Sequence, residues 1–262
     1  MNKPKLMSYA DYVEKKHTQP YFYSISKNNQ HLYFFGSIHT YDEEDGQIKK
    51  LEEVWNDFVV KTKNKKRLVL VEGGKRKILN SKKESIEIGG EISYVAFLSN
   101  IEGIDIVSPE PSPAYWFQTL ANKFSRDEVA YYDFARICYQ WNKTNNKPPF
   151  NEYIKNFLES NSKNSGWNDY NFSLKHFKLI HKLFFKTEFD ENDEQFFYKI
   201  LNPTTSYSVI NKVSLADDEG VRDTFIFSEI EKYWKEGNSM FIIFGLQHAV
   251  IMEPALRKLV EE

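Results

Sequence analysis

The chain of 262 residues has a single cysteine, Cys138, so it can form no internal disulfide and no Cys-x-x-Cys metal or redox site. No apolar run approaches the ~18 residues needed to cross a bilayer, and the opening residues Met1 to Met7 lack the apolar core of a secretory signal. An excess of one charge is missing too. With 35 Lys and Arg against 37 Asp and Glu, a net charge of −2 supplies no field that would hold nucleic acid or anionic lipid. The Gly-x-Ser-x-Gly elbow, the Walker-type phosphate loop and the His-Glu-x-x-His helix are all absent, which argues against a serine nucleophile, an NTPase and a zincin. The expectation is a soluble, cytoplasmic protein with no nucleic-acid or membrane partner.

What the chain does have is one short pattern twice, near its two ends. Tyr33-Phe34-Phe35-Gly36-Ser37-Ile38-His39 and Phe241-Ile242-Ile243-Phe244-Gly245-Leu246-Gln247-His248 are each an apolar run, a glycine and a histidine three residues later. Random placement of 11 glycines and 6 histidines gives only about 0.25 such matches in 262 residues. Each run reads as a buried strand that ends in a turn, and the residues after each histidine become amphipathic. Both histidines are therefore expected at strand-to-helix junctions, outside the carboxyl ends of strands, where open α/β sheets bind ligands.

Between the two copies the pattern is strand, helix, strand. Residues 20–26 and 31–35 flank Lys27-Asn28-Asn29-Gln30 and predict a hairpin. Ile48, Leu51, Val54, Trp55 and Phe58 predict a helix after the acidic Asp42 to Asp45. Residues 67–71 form a strand that ends at Glu72-Gly73-Gly74. Residues 86–100 form a helix closed by Gly103, and 104–107 a strand that ends at Ser108-Pro109-Glu110-Pro111. Residues 112 to about 205 differ: aromatic-rich helices at 114–143, 151–158 and 173–189, a break at Asn145 to Pro149 and a polar loop at 160–171. Residues 206–215 read as extended, 217–235 as a helix, 240–244 as a strand and 250–261 as a closing helix. The fold class predicted is α/β: one domain over 1–262, with a central mixed sheet, flanking helices and an inserted helical subdomain at 112–205.

At the strand ends stand His39, Glu72, Glu110 and His248, with Arg222 on the helix before the last strand. Two imidazoles and one or two carboxylates suit a divalent metal such as Mn²⁺, Co²⁺ or Zn²⁺, whose bound water becomes a nucleophile at neutral pH. In that arrangement Glu72 or Glu110 takes the proton and Arg222 binds a substrate anion or an oxyanion. A metal-free arrangement, in which one histidine takes a proton from water while a carboxylate orients it, fits the same residues. Helix N-termini close behind both histidines are expected to favour their neutral forms. Glu91 reads as a helix cap or a further carboxylate, Asp223 as an orienting or helix-start residue, and His176 and His181 as packing or surface histidines.

The order of these motifs, with Val71-Glu72-Gly73-Gly74, Pro109-Glu110-Pro111 and Arg222-Asp223 between the paired histidines, resembles the TraB/PrgY/GumN/Tiki family over residues 31–111 and 213–261. That family is related to the erythromycin-esterase-like and ChaN-like proteins. The resemblance implies an α/β fold with His39, His248, Glu72, Glu110 and Arg222 in a central cleft. In Tiki-like members these positions support metal-dependent peptide hydrolysis, in esterase-like relatives lactone hydrolysis by histidine and glutamate, and in ChaN-like relatives haem binding. The function expected is a metal-dependent hydrolase of a peptide or amide bond, with a peptide or small molecule as substrate. The alternatives are a haem or small-ligand binder and a metal-free, esterase-like hydrolase.

Overall fold

The computed structural model describes residues 5–74, 76–144 and 147–261. In chain order the elements of the first part are α1 (Tyr9–Val13), β1 (Tyr21–Lys27), β2 (Gln30–Ser37), α2 (Gly46–Lys61), β3 (Arg67–Val71), α3 (Lys82–Ile101) and β4 (Asp105–Val107). Helices α4 (Pro113–Ala121), α5 (Arg126–Lys143), α6 (Phe150–Asn164), α7 (Leu174–Phe185), α8 (Glu194–Leu201) and α9 (Val209–Gly220) follow, then α10 (Arg222–Lys235), β5 (Ser239–Gly245) and α11 (Leu246–Glu261). The chain divides into two compact units, one of the described residues up to Glu110 together with those from Asp223 onward, the other Pro111–Arg222.

The first unit is an α/β fold around a five-stranded mixed sheet of order β1-β2-β5-β3-β4. The β1–β2 hairpin is antiparallel and turns through Asn28 and Asn29, both at positive φ, the conformation that a two-residue hairpin loop requires and asparagine tolerates. The other neighbours are all parallel, with β5 between β2 and β3. Side-chain alternation sends Tyr33, Phe35, Val69, Val71, Phe241 and Ile243 to a core shared with residues of α2 and α3. Phe34, Leu68, Leu70, Met240, Ile242 and Phe244 face a second core shared with residues of α10 and α11. With both faces covered, the central strands read as continuous apolar runs.

The second unit contains helices α4 to α9 around its own aromatic core, which includes Phe117, Tyr131, Phe134, Phe177 and Phe197. Here the sequence reading needs correcting in several places. Residues 206–215, expected extended, open helix α9, whose entry is fixed by reciprocal capping between Ser208 and Asn211. The single helix expected over 217–235 is two, α9 and α10, which meet at Val221. The helix expected over 114–143 is also two, because Ser125 caps α5 with Glu128 in a capping box. Asn145 and Asn146 of the expected break lie outside the described residues. His181 lies buried on α7, with its Nδ1 2.6 Å from the Tyr131 hydroxyl.

Candidate functional site

Because β2 and β5 are parallel neighbours with Ser37 opposite Gly245, the two Gly-x-x-His segments leave the sheet side by side at its carboxyl edge. Their glycines do different work. A Cβ on Gly36 would come within 2.7 Å of the Ala249 Cβ and 3.1 Å of the Leu246 Cα, so a glycine there lets α11 lie directly on β2. Gly245 instead donates its N–H to Glu72 Oε2 at 2.7 Å, which joins the end of β5 to the end of β3.

The histidines differ in placement too. His39 lies in the loop between β2 and α2, while His248 is already in the first turn of α11, not before a helix as the sequence suggested. The loop carrying His39 is fastened by Gln47 of α2, whose side chain accepts from the Ile38 N–H at 3.1 Å and donates to the Ile38 carbonyl.

The partner of His39 is Glu91, which is 1 % exposed. Its Oε1 lies 2.9 Å from His39 Nδ1 and accepts from the Ser37 hydroxyl at 2.7 Å, and its Oε2 accepts the Thr40 N–H at 3.0 Å. A break in α3 delivers it: Gly90 has φ +67°, and a Cβ there would be 3.0 Å from the Thr40 carbonyl oxygen. A carboxylate has no proton to give, so Nδ1 carries the hydrogen and Nε2 keeps the lone pair. The His39 side chain remains 58 % exposed. Its pKa is raised, chiefly by the Glu91 hydrogen bond; burial works against this, the Glu72 charge adds to it and the Arg76 charge subtracts. The expected bias toward a neutral His39 is thus reversed: Glu91, within hydrogen-bond distance, outweighs a helix that starts seven residues away.

His248 has the same kind of support. Its Nδ1 is 2.5 Å from Oδ1 of the fully buried Asp223, at the start of α10, and its Nε2 is 3.6 Å from Glu72 Oε1. Asp223 Oδ2 has no hydrogen-bond partner among the described residues. Asp223 is therefore the orienting residue that its position suggested.

Glu110 accepts the Gly73 N–H at 3.3 Å, and Ser108 accepts the Gly74 N–H at 3.0 Å, which fixes the turn that follows Glu72. Arg222 falls in the helical unit, within electrostatic reach of Arg136. The structure brings in residues that sequence reasoning passed over. Arg76 donates through Nε and Nη2 to the Glu72 carbonyl, and Ser37 and Gln47 lie within or beside the first motif itself.

Among the described residues, no group of three or more His, Cys, Asp or Glu side chains is arranged to hold a metal ion. Glu72 and Glu110 each have an oxygen on a backbone N–H, and both histidines have Nδ1 on a carboxylate. No protein-family model, curated protein or solved structure matches the chain.

Proposed function

We propose that the strand-end cluster is the catalytic centre of a hydrolase that cleaves an acyl bond, ester or amide, with water activated by His39. Glu91 carries this reading. A fully buried carboxylate, held by a hydroxyl and a backbone N–H, fixes one tautomer of a half-exposed imidazole and leaves Nε2 as an accessible base. As the water oxygen attacks the acyl carbon, its proton passes to Nε2. The imidazolium is stabilised by Glu91 and by the Glu72 charge. The same proton then goes to the leaving oxygen or nitrogen as the acyl bond breaks, which gives an acid and an alcohol or amine. Arg76, close enough for its charge to act on His39, is a cation available to the developing oxyanion.

The reading draws on the resemblance of the motif order to the TraB/PrgY/GumN/Tiki family, whose esterase-like relatives use histidine-and-glutamate chemistry. The assignment of Pro111–Arg222 as an inserted subdomain of the erythromycin-esterase-like or ChaN-like kind belongs to the same proposal. No step of this reading calls on a metal. One observation does favour the metal-dependent alternative: histidines whose Nδ1 atoms rest on carboxylates are how proteins usually present metal ligands.

The test is a panel of p-nitrophenyl esters, lactones and aminoacyl p-nitroanilides, with chelator-treated protein and with added Mn²⁺, Co²⁺ or Zn²⁺. Turnover that survives chelation and falls ~10²–10⁴-fold in His39→Ala, with an unchanged circular dichroism spectrum, is expected. Turnover that needs added metal transfers the same residues to the metal-dependent mechanism. Turnover untouched by His39→Ala overturns both.

A further inference from the structure

The helical unit holds a cavity of about 590 Å³, walled on one side by α6 and on the other by residues 170–174, which lead into α7. The α6 wall consists of positions 151, 154, 155, 158, 159 and 162, the spacing of a single helix face. The cavity is therefore a trough that follows this helix for roughly 16 Å. Ile154, Leu158 and Phe172, 1 %, 7 % and 6 % exposed, give it an apolar floor. Protein interiors ordinarily close over such side chains until few voids larger than a water remain, and this volume lies instead in the range of small-molecule sites.

The walls are held apart by contacts made elsewhere. The Tyr170 hydroxyl donates to Asp127 Oδ1 at 2.7 Å, and Phe172 packs against Phe117, Trp167 and Phe177. Ser173 caps α7, accepting the His176 N–H at 3.3 Å, and α6 is tied to Asp133 of α5 through the Asn161 side chain at 2.5 Å. A trough shaped in advance leaves little ordering for a ligand to impose. The only charged side chains of its lining are Lys155 and Glu159, an i,i+4 pair 3.8 Å apart, and they offset each other. Its remaining polar side chains include Asn151 and Ser162, both exposed and without a side-chain hydrogen bond among the described residues.

We infer that this trough binds one molecule of an uncharged single-chain amphiphile, an alkyl chain that carries a hydroxyl head. The length of the cavity suits a chain rather than a compact ring, and its apolar floor takes that chain out of water. Neutral amide and hydroxyl groups at the rim can exchange hydrogen bonds with the head, while the offsetting charges favour neither a cationic nor an anionic one. The inference concerns the helical unit alone and does not depend on the hydrolytic reading.

Methyl-labelled NMR of the full chain tests it, with 1-octanol, 1-butanol, octanoate and octyltrimethylammonium as probes. The methyls of Ile154, Leu158 and Leu174 report on the trough, and those of Leu179 and Leu183, 61 % and 59 % exposed on α7, report on non-specific coating of the surface. Saturable shifts confined to the first three are expected with 1-octanol, about 10²-fold tighter than with 1-butanol and tighter than with either charged compound. The half-buried Leu174 and the buried Leu158 supply two variants, Leu174→Gln and Leu158→Gln, each expected to weaken 1-octanol about tenfold in a chain whose circular dichroism is unchanged. The wild-type titration decides the matter by itself if either variant fails to fold. Absence of shifts in the trough, equal shifts at Leu179 and Leu183, or tighter binding of a charged compound overturns the inference.

Discussion

Two histidines of this chain are driven in opposite directions by their neighbours. His181, surrounded by Tyr131, Phe185, Phe189 and Phe196, has its pKa lowered by burial, whereas His39 has its pKa raised by Glu91. For His39 the folded pKa exceeds that of the unfolded chain. The stability it contributes is fully present below about pH 6.5 and lost as pH rises through the folded value. For His181 the contribution is present above about pH 6.5 and lost as pH falls below it. An NMR titration of the His39 ring is expected to show a midpoint above 6.5. Arg76→Gln removes a cation that opposes protonation, so it should move that midpoint further up; a downward move would show that Arg76 does not act on the base electrostatically.

Among the elements, α11 and the break in α3 matter most, and they were unequally legible in the sequence. The apolar runs that became β2, β3 and β5 could be read because a central parallel strand is buried on both faces. The pairing of β2 with β5 is not fixed by their matched motifs and is seen only in the folded sheet. That Glu91 would hold His39 was not legible: Gly89-Gly90 marks a break without saying which way the chain leaves it, and the contact joins residues 52 apart in sequence. The assignment of 206–215 as extended failed because Ser206, Tyr207 and Ser208 precede a helix start fixed by a capping box rather than by periodicity. Gly36→Ala makes the packing of α11 testable. Its methyl would overlap Ala249, so the variant should lose ~1–3 kcal/mol in denaturant unfolding and misplace His248. Unchanged stability would mean that α11 does not rest on β2 as closely as described.

Across the chain, sequence composition distinguishes an α/β part from an aromatic helical part over 112–205, and the second compact unit of the structure is Pro111–Arg222, with α9 inside it. The chain passes between the units at 110–111 and 222–223, and each crossing adjoins residues of the cluster: Glu110 under the turn after Glu72, and Asp223 on His248. The motif residues lie at strand ends and could be found in the sequence, as could Asp223, whereas the pairing of His39 with Glu91 could not.

Whether His39 is the base is decided by the pH profile of kcat/KM for ester hydrolysis by chelator-treated wild type, beside His39→Ala. The rate is expected to climb with pH through an apparent pKa above 6.5, where neutral His39 appears, and the variant to lack that limb. A profile flat across that range, or one that the variant reproduces, would contradict the assignment of His39 as the base.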